Sequence, residues 1–384
     1  MAAEAKRRSP LWARICVGLG AVVLLAGGGT LVAGQALVSK YTDAITDDSL
    51  LAPIAGKPAE AAAPPEPESD IEGAVNILLV GIDPRDDHTA PLADSIVIAH
   101  IPADRHSAYL FSIPRDLRVD IPAFQPSGTG ADRTKINAAM AYGSRLGDNK
   151  YSAAQGFQLL AATVGNVTGI KKFDAGAIVN FGGFKKIVEA LGGVEMVIDM
   201  DVKSEHLGPD GKTRERISRC RNDHTSSSCA HPYTGPQKQY KKSDEPVRLQ
   251  AWEALDYVRQ RYGDDMTDYD RQRHQQQFIK AMAKQAMSRD VVTDPGKLLA
   301  VMDAAGGSLT FDGRGHSILE WALEMKALNV DDMITVKLPG EGVYDGGYLG
   351  ERFQDGVDDF FKAVTENRVP AFLMDHPTFI NETN

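Results

Sequence analysis

Cysteine is scarce in this 384-residue chain: there are three, and Cys16 lies in its one long apolar run. A fold held by several disulfides is excluded, so the core must come from apolar packing, for which 43% hydrophobic residues are enough. Excess positive charge is also missing. Against 52 acidic residues stand 42 basic ones, a formal net charge of −10. The molecule as a whole is not drawn to a nucleic-acid backbone, and any anion site must be local. No internal repeat is visible, which excludes a solenoid.

The single long apolar run opens the chain. "EAKRRSPLWAR" carries Lys6, Arg7, Arg8 and Arg14, and no charge follows from Ile15 to Val38. About 20 apolar residues cross a bilayer as a helix, and a preceding basic cluster keeps the N-terminus inside. A cleaved signal peptide would carry an apolar stretch of roughly 7–15 residues, so the run reads as an uncleaved anchor. The expected layout is a cytoplasmic basic segment 1–14 and a transmembrane signal-anchor 15–38. A Pro/Ala-rich extracytoplasmic linker 39–70, a globular domain 71–368 and a C-terminal tail 369–384 follow. The bulk of the protein is then expected on the outer side of the cell membrane. In that oxidising setting Cys220 and Cys229, close together in a polar stretch, are candidates for a local disulfide. His224 and His231 offer a zinc alternative, but the spacing matches no common zinc pattern.

Within the domain, "VNILLVGID" (75–83), "DSIVIAHI" (94–101) and "SAYLFSIP" (107–114) are short β-branched runs separated by polar turns. They predict three strands in an antiparallel meander. Helical and extended patterns then alternate, with helices expected over 247–258, 271–288, 294–304 and 315–328, a late strand at "ITVKLP", and a last helix around 353–366. The fold class this implies is α/β, a single three-layer helix–sheet–helix domain with a mixed central sheet, preceded by one transmembrane helix.

In such a meander the end of strand one, the start of strand two and the end of strand three share an edge, which brings together Asp83, Asp94 and Arg115. Two carboxylates there suit Mg²⁺ or Mn²⁺, which take oxygen ligands and share them with phosphate; the plainer reading is that both aspartates cap turns. A second cluster lies in "DYVRQRYGDDMTDYDRQRHQQQF", where Arg259, Arg261, Arg271 and Arg273 fall within fifteen positions. If the helix before them ends near Val258, Arg259 and Arg261 point the same way on an extended segment. Arg271, His274 or Gln275, Phe278 and Met282 form one helical stripe, polar at one end and apolar at the other. Guanidiniums donate paired hydrogen bonds to phosphate. Two aspartates facing several arginines form the arrangement expected for phosphoryl or pyrophosphate chemistry.

"NILLVGIDPR", "DSIVIAHI", "SIPRD", "TKINAAMAYG", "GGVEMVID", "EALDYVRQR" and "DRQRHQQQFI" occur in this order, and over about residues 72–365 the chain resembles the LytR–CpsA–Psr proteins. The resemblance implies a magnesium-dependent phosphotransferase that moves a glycopolymer from a polyprenyl-pyrophosphate carrier onto peptidoglycan as a phosphodiester. Its implied partners are that lipid-linked glycopolymer, the peptidoglycan acceptor and the membrane, with no nucleic acid. Asp83 and Asp94 resemble the family's metal-binding aspartates. Arg85, Arg115, Arg259, Arg261 and Arg271 resemble its pyrophosphate-contacting arginines, with Gln275 in the same site. Asp116, Lys135 and Asn137 fall in motifs that line the pocket, and Asp116 and Asp83 are both candidates for the proton acceptor. The sequence departs from the family pattern at Asp270, where many members have Gly, and at His274, where many have Arg. An apolar tunnel for the lipid is implied as well. Ile77, Leu79, Val97 and Phe111 are candidates to line it, although as sheet residues they read first as core. Two other readings stand beside this one: a hydrolase that uses water as nucleophile on the same lipid pyrophosphate, and a membrane-anchored envelope regulator or binding protein. The chain carries no basic recognition helix to support regulation through DNA.

Overall fold

The structure is a computed structural model. It describes residues 50–51, 71–84, 86, 88–220, 229, 231–260, 266–288, 301, 304 and 309–381. The expected segments 1–14 and 15–38, most of 39–70 and most of the helix expected over 294–304 lie outside the described residues. Among the described residues no helix is long and apolar enough to cross a membrane.

The principal elements, in chain order, begin with β1 (Val75–Ile82), β2 (Ala93–Ile101), β3 (Ala108–Ser112), β4 (Arg118–Ile121) and β5 (Asp132–Lys135). Next come α1 (Asn137–Gly143), α2 (Ala153–Thr168), β6 (Ala175–Asn180), α3 (Phe181–Ala190), β7 (Val194–Ile198), β8 (Ser243–Leu249) and α4 (Ala251–Arg259). The rest are α5 (Asp268–Ala286), β9 (Leu309–Asp312), α6 (Ile318–Glu324), β10 (Met333–Val336), β11 (Gly340–Tyr344), β12 (Tyr348–Phe353), α7 (Val357–Thr365) and α8 (Val369–Asp375).

Six strands form the central sheet in the order β9-β6-β1-β2-β3-β10. The β1–β2–β3 meander is antiparallel, as its short connections require, while β1–β6 and β3–β10 are parallel. The sheet is mixed and covered on both faces. Leu78, Val80, Ile96, Ile98 and Phe111 face α1, α2, α7 and α8 in the main core. Leu79, Ala99, Ala177 and Phe311 look the other way, toward α5 and α6. Successive residues of each strand thus serve opposite cores, which is why these strands read as continuous apolar runs.

Three expectations need correction. Residues 247–249 are strand, pairing Val247 with Met196 and Leu249 with Val194; the helix starts only after Gln250, whose side chain and that of Glu253 cap it reciprocally. Pro246 keeps its predecessor extended, which favours the strand. The stretch 369–381 is no tail. Val369, Leu373 and Phe379 are buried in the main core, and Asn381 donates to Gln276 Oε1 and Thr335 Oγ1. The domain also begins before residue 71: Leu50 and Leu51 are buried, and the Leu51 amide donates to Asp312 Oδ2 at 2.7 Å.

Candidate functional site

The meander delivers the expected edge. Gly81 pairs with Ser95, but Ile82 pairs with Ala93, so Asp94 is the extra residue of a β-bulge. Bulges re-aim side chains and are frequent beside active sites. Arg115, just beyond β3, donates from Nη1 to Asp94 Oδ1 at 2.7 Å. Asp83, just past β1, accepts from Arg259 Nη2 at 3.1 Å. Arg259 is the last residue of α4, and Gln260 is already extended. Arg85 and Arg261 lie outside the described residues.

The first turn of α5 brings Arg271, which is buried and ion-paired at 2.8 Å with Asp268. One turn on, Gln275 Oε1 accepts from Ser95 Oγ of β2 at 2.8 Å. Beyond Arg115, Asp116 pairs with Lys135 at 3.2 Å, and the Asn137 amide donates to the Arg115 carbonyl at 3.1 Å. Burial alone would lower the Arg115 pKa, but the charges of Asp268, Asp94 and Asp116 outweigh it and hold the guanidinium above its ordinary value.

Three members of this cluster have no counterpart in the sequence reading. Asp268 sits three residues before Arg271, the spacing of a helical ion pair, and was legible in principle. Glu351 and Tyr269 carried no local signal. Glu351 is buried, accepts from the hydroxyls of Tyr269 (2.8 Å) and Tyr348 (3.3 Å), and its carboxyl is pushed up by that burial.

The other half of the arginine-rich helix points elsewhere. Arg273 Nε donates to Asp199 Oδ2 at 2.5 Å, and His274 Nε2 lies 3.0 Å from Asp199 Oδ1. Tyr257 and Gln277 also donate to this buried carboxylate, and the His274 ring stacks on Tyr257 at 4.4 Å. Burial would raise the Asp199 pKa, but these hydrogen bonds and charges drive it far below the carboxylate range. His274 therefore fastens α5 to the end of β7 and does not take over the arginine's expected place at an anion. Asp270 acts locally, completing a capping box with Thr267 at the start of α5 and pairing with Arg273.

Between the sheet and helices α3, α4 and α5 lies a cavity of about 260 Å³. Leu79, Val97, Ala177, Ile187, Phe278 and Met282 line it, while Ser95, Asn180, Arg259 and Gln275 form its polar end. Leu79 and Val97 thus border a void, whereas Phe111 belongs to the opposite core, edge-on to Phe360 at 5.0 Å. Ile77 packs on the α5 side without lining the cavity. Cys220 and Cys229 form a disulfide, the alternative preferred over zinc. His224 lies outside the described residues. Among the described residues no group of three or more His, Cys, Asp or Glu is arranged to hold a metal by itself. Asp83 and Asp94 fit a hard cation only as a partial ligand set that phosphate oxygens complete.

The site is thus an edge of paired carboxylates and guanidiniums on a mixed α/β sheet, with an apolar cavity beside it. Residues 48–365 match the LytR_cpsA_psr family, and the chain belongs to it. Among curated relatives, "Polyisoprenyl-teichoic acid--peptidoglycan teichoic acid transferase TagU" of Halalkalibacterium halodurans is 28% identical over 70% of each chain. "Cell wall biosynthesis protein LcpA" of Corynebacterium glutamicum is 27% identical over 79% of this chain but only 56% of its own length. The crystal structure of B. subtilis TagU shares the fold, with a TM-score of 0.51 at 18% identity over 77% of this chain and 96% of that one.

Proposed function

We propose that the protein is a transferase of cell-wall assembly that moves a glycopolymer from a polyprenyl-pyrophosphate carrier to peptidoglycan, forming a phosphodiester. One observation carries the reading: Arg259 and Gln275 belong both to the charged edge and to the mouth of the apolar cavity. A ligand with a diphosphate head and a hydrocarbon tail satisfies both regions at once. The relatives named as teichoic acid transferases and cell-wall biosynthesis proteins support the same class of activity.

Among the described residues, four cations of the edge rest on carboxylates: Arg115 on Asp94, Arg259 on Asp83, Arg271 on Asp268 and Lys135 on Asp116. A bare diphosphate would meet those carboxylates and be repelled. Asp83 and Asp94 would hold Mg²⁺ or Mn²⁺, which neutralises phosphate oxygens. Arg115 and Arg259, each paired to one of these carboxylates, would be the residues that donate to the diphosphate. The Asp83–Arg259 pair is about two-fifths exposed, and exposed pairs hold weakly, so exchange of partners costs little. Arg115 and Arg271 then stabilise the charge that develops as the prenyl phosphate departs. Asp116, oriented by Lys135 at 3.2 Å, would accept the proton of the attacking hydroxyl. The tail lies along Leu79, Val97 and Phe278. We place this domain outside the cytoplasm, anchored by residues 15–38, where both carrier and acceptor are accessible.

The test is a reconstituted reaction with full-length protein, a polyprenyl-pyrophosphate-linked glycan and peptidoglycan, followed by mass spectrometry. A glycan–peptidoglycan phosphodiester that disappears with EDTA and returns with Mg²⁺ is the expected product. Free glycan phosphate without adduct would contradict transfer and establish hydrolysis.

A further inference from the structure

Most large apolar side chains exposed among the described residues stand alone, but Tyr344 and Tyr348 stand together on the β11–β12 hairpin. Their exposures are 72% and 43%, and their ring centroids lie 5.6 Å apart. The Tyr344 ring lies over Gly342, where an added Cβ would come within 2.7 Å of it. Tyr348 is held from two sides: its hydroxyl bonds Glu351, and the Lys135 ammonium sits 4.7 Å from its ring centre. These are placed rings on a fixed support, and such exposed aromatic pairs mark binding surfaces.

The support is fastened to the charged edge. The Glu351 amide donates to the Asp116 carbonyl at 2.8 Å. Gly350, at φ +137°, lets the strands approach so closely that a Cβ would fall 2.6 Å from that same carbonyl. Contacts run in sequence from the cavity mouth at Ser95 through Asp94, Arg115, Asp116 and Lys135 to Tyr348. Tyr348 therefore adjoins the Asp116–Lys135 part of the edge, and neither tyrosine lines the cavity.

We propose that Tyr344 and Tyr348 form a saccharide platform that seats the glycan strand of the acceptor. This rests on the transfer reading above. In an in-line displacement the nucleophile approaches opposite the leaving oxygen. The leaving phosphate carries the tail, so the acceptor must come from outside the cavity, and the platform adjoins Asp116, the proposed proton acceptor, outside the cavity lining. Pyranose rings present apolar C–H faces that stack on aromatic rings, and their hydroxyls bond to flanking polar groups. Glu341, Arg352 and Asp345 supply such groups on the same hairpin.

The test uses full-length protein in detergent and two probes: soluble glycan-strand fragments from muramidase-digested peptidoglycan, and a short-chain prenyl pyrophosphate with Mg²⁺. Tyr344→Ala is expected to weaken glycan-fragment binding roughly tenfold, the scale of losing one aromatic stack. Tyr344→Phe should retain it, and diphosphate affinity should be the same in all three proteins. In the transfer assay Tyr344→Ala should raise KM for peptidoglycan with kcat nearly unchanged. Wild-type protein that ignores the glycan fragments, or Tyr344→Ala that binds them like wild type, overturns the platform. An equal loss for both probes also overturns it, because the ring would then be serving the diphosphate site. Failure of wild type to bind the prenyl pyrophosphate would instead strike the underlying transfer reading.

Discussion

Arg115 and Arg273 are equally cationic in sequence, and the structure gives them different work. Arg115 sits among Asp94, Asp116 and Asp268 at the open edge; Arg273 is locked onto Asp199 and Asp270. Arg115→Ala should leave the fold intact and reduce kcat by a hundred- to thousandfold, roughly 3–4 kcal/mol, as loss of one transition-state donor does. Steady-state transfer kinetics beside a thermal melt check both halves. Asp199→Ala should do the reverse, destabilising by about 1–3 kcal/mol because the buried His274 and Gln277 lose the acceptor they share with Arg273, which urea unfolding would measure. His100 supplies a pH dependence. Burial holds its pKa down to about 4, against the hydrogen bond with Asn367, which raises it. The unfolded chain binds this proton near pH 6.5 and the folded one does not. Its contribution of about 3 kcal/mol is thus present above 6.5 and is lost as pH falls toward 4. Stability measured across that window should slope downward with acid, and His100→Gln should flatten the slope.

At the scale of elements, the meander was legible because its strands are apolar on both faces and short polar turns join them. From that topology alone Asp83, Asp94 and Arg115 fall at one edge. The bulge at Asp94 was not legible, since it depends on how β1 and β2 align. Helix α5 was half legible: the stripe through Arg271, Gln275 and Phe278 was visible, but Arg273 and His274 could be assigned only once β7 brought Asp199 to their side of the helix. Glu351 and the tyrosines reach the site through strand pairing that no local pattern encodes. The cavity was equally hidden, because Leu79 and Val97 look the same in a sequence whether they meet a neighbour or a void. Its role is testable by filling it. Ala177→Phe should cost about 1–3 kcal/mol of stability by overpacking. It should also abolish the preference for long-chain over short-chain prenyl pyrophosphates, as read in a binding titration.

For the molecule as a whole, the anchor proposed at 15–38 would decide which reactants the site can meet. On intact cells, added protease that cuts between residue 39 and the buried Leu50 should release the domain, while an epitope at the N-terminus stays protected until the membrane is opened. Within the domain the segment between β7 and β8 carries the Cys220–Cys229 disulfide and is joined to α4 through Gln260 and Asp256. It meets that helix at its C-terminal end, next to Arg259. The most direct measurement is a crystal structure of the protein with a prenyl pyrophosphate and Mg²⁺. The account predicts the diphosphate between Arg115 and Arg259, the cation on Asp83 and Asp94, and the tail in the cavity beside Leu79 and Val97. A diphosphate bound elsewhere, with that cavity empty and Arg259 still on Asp83, would contradict it.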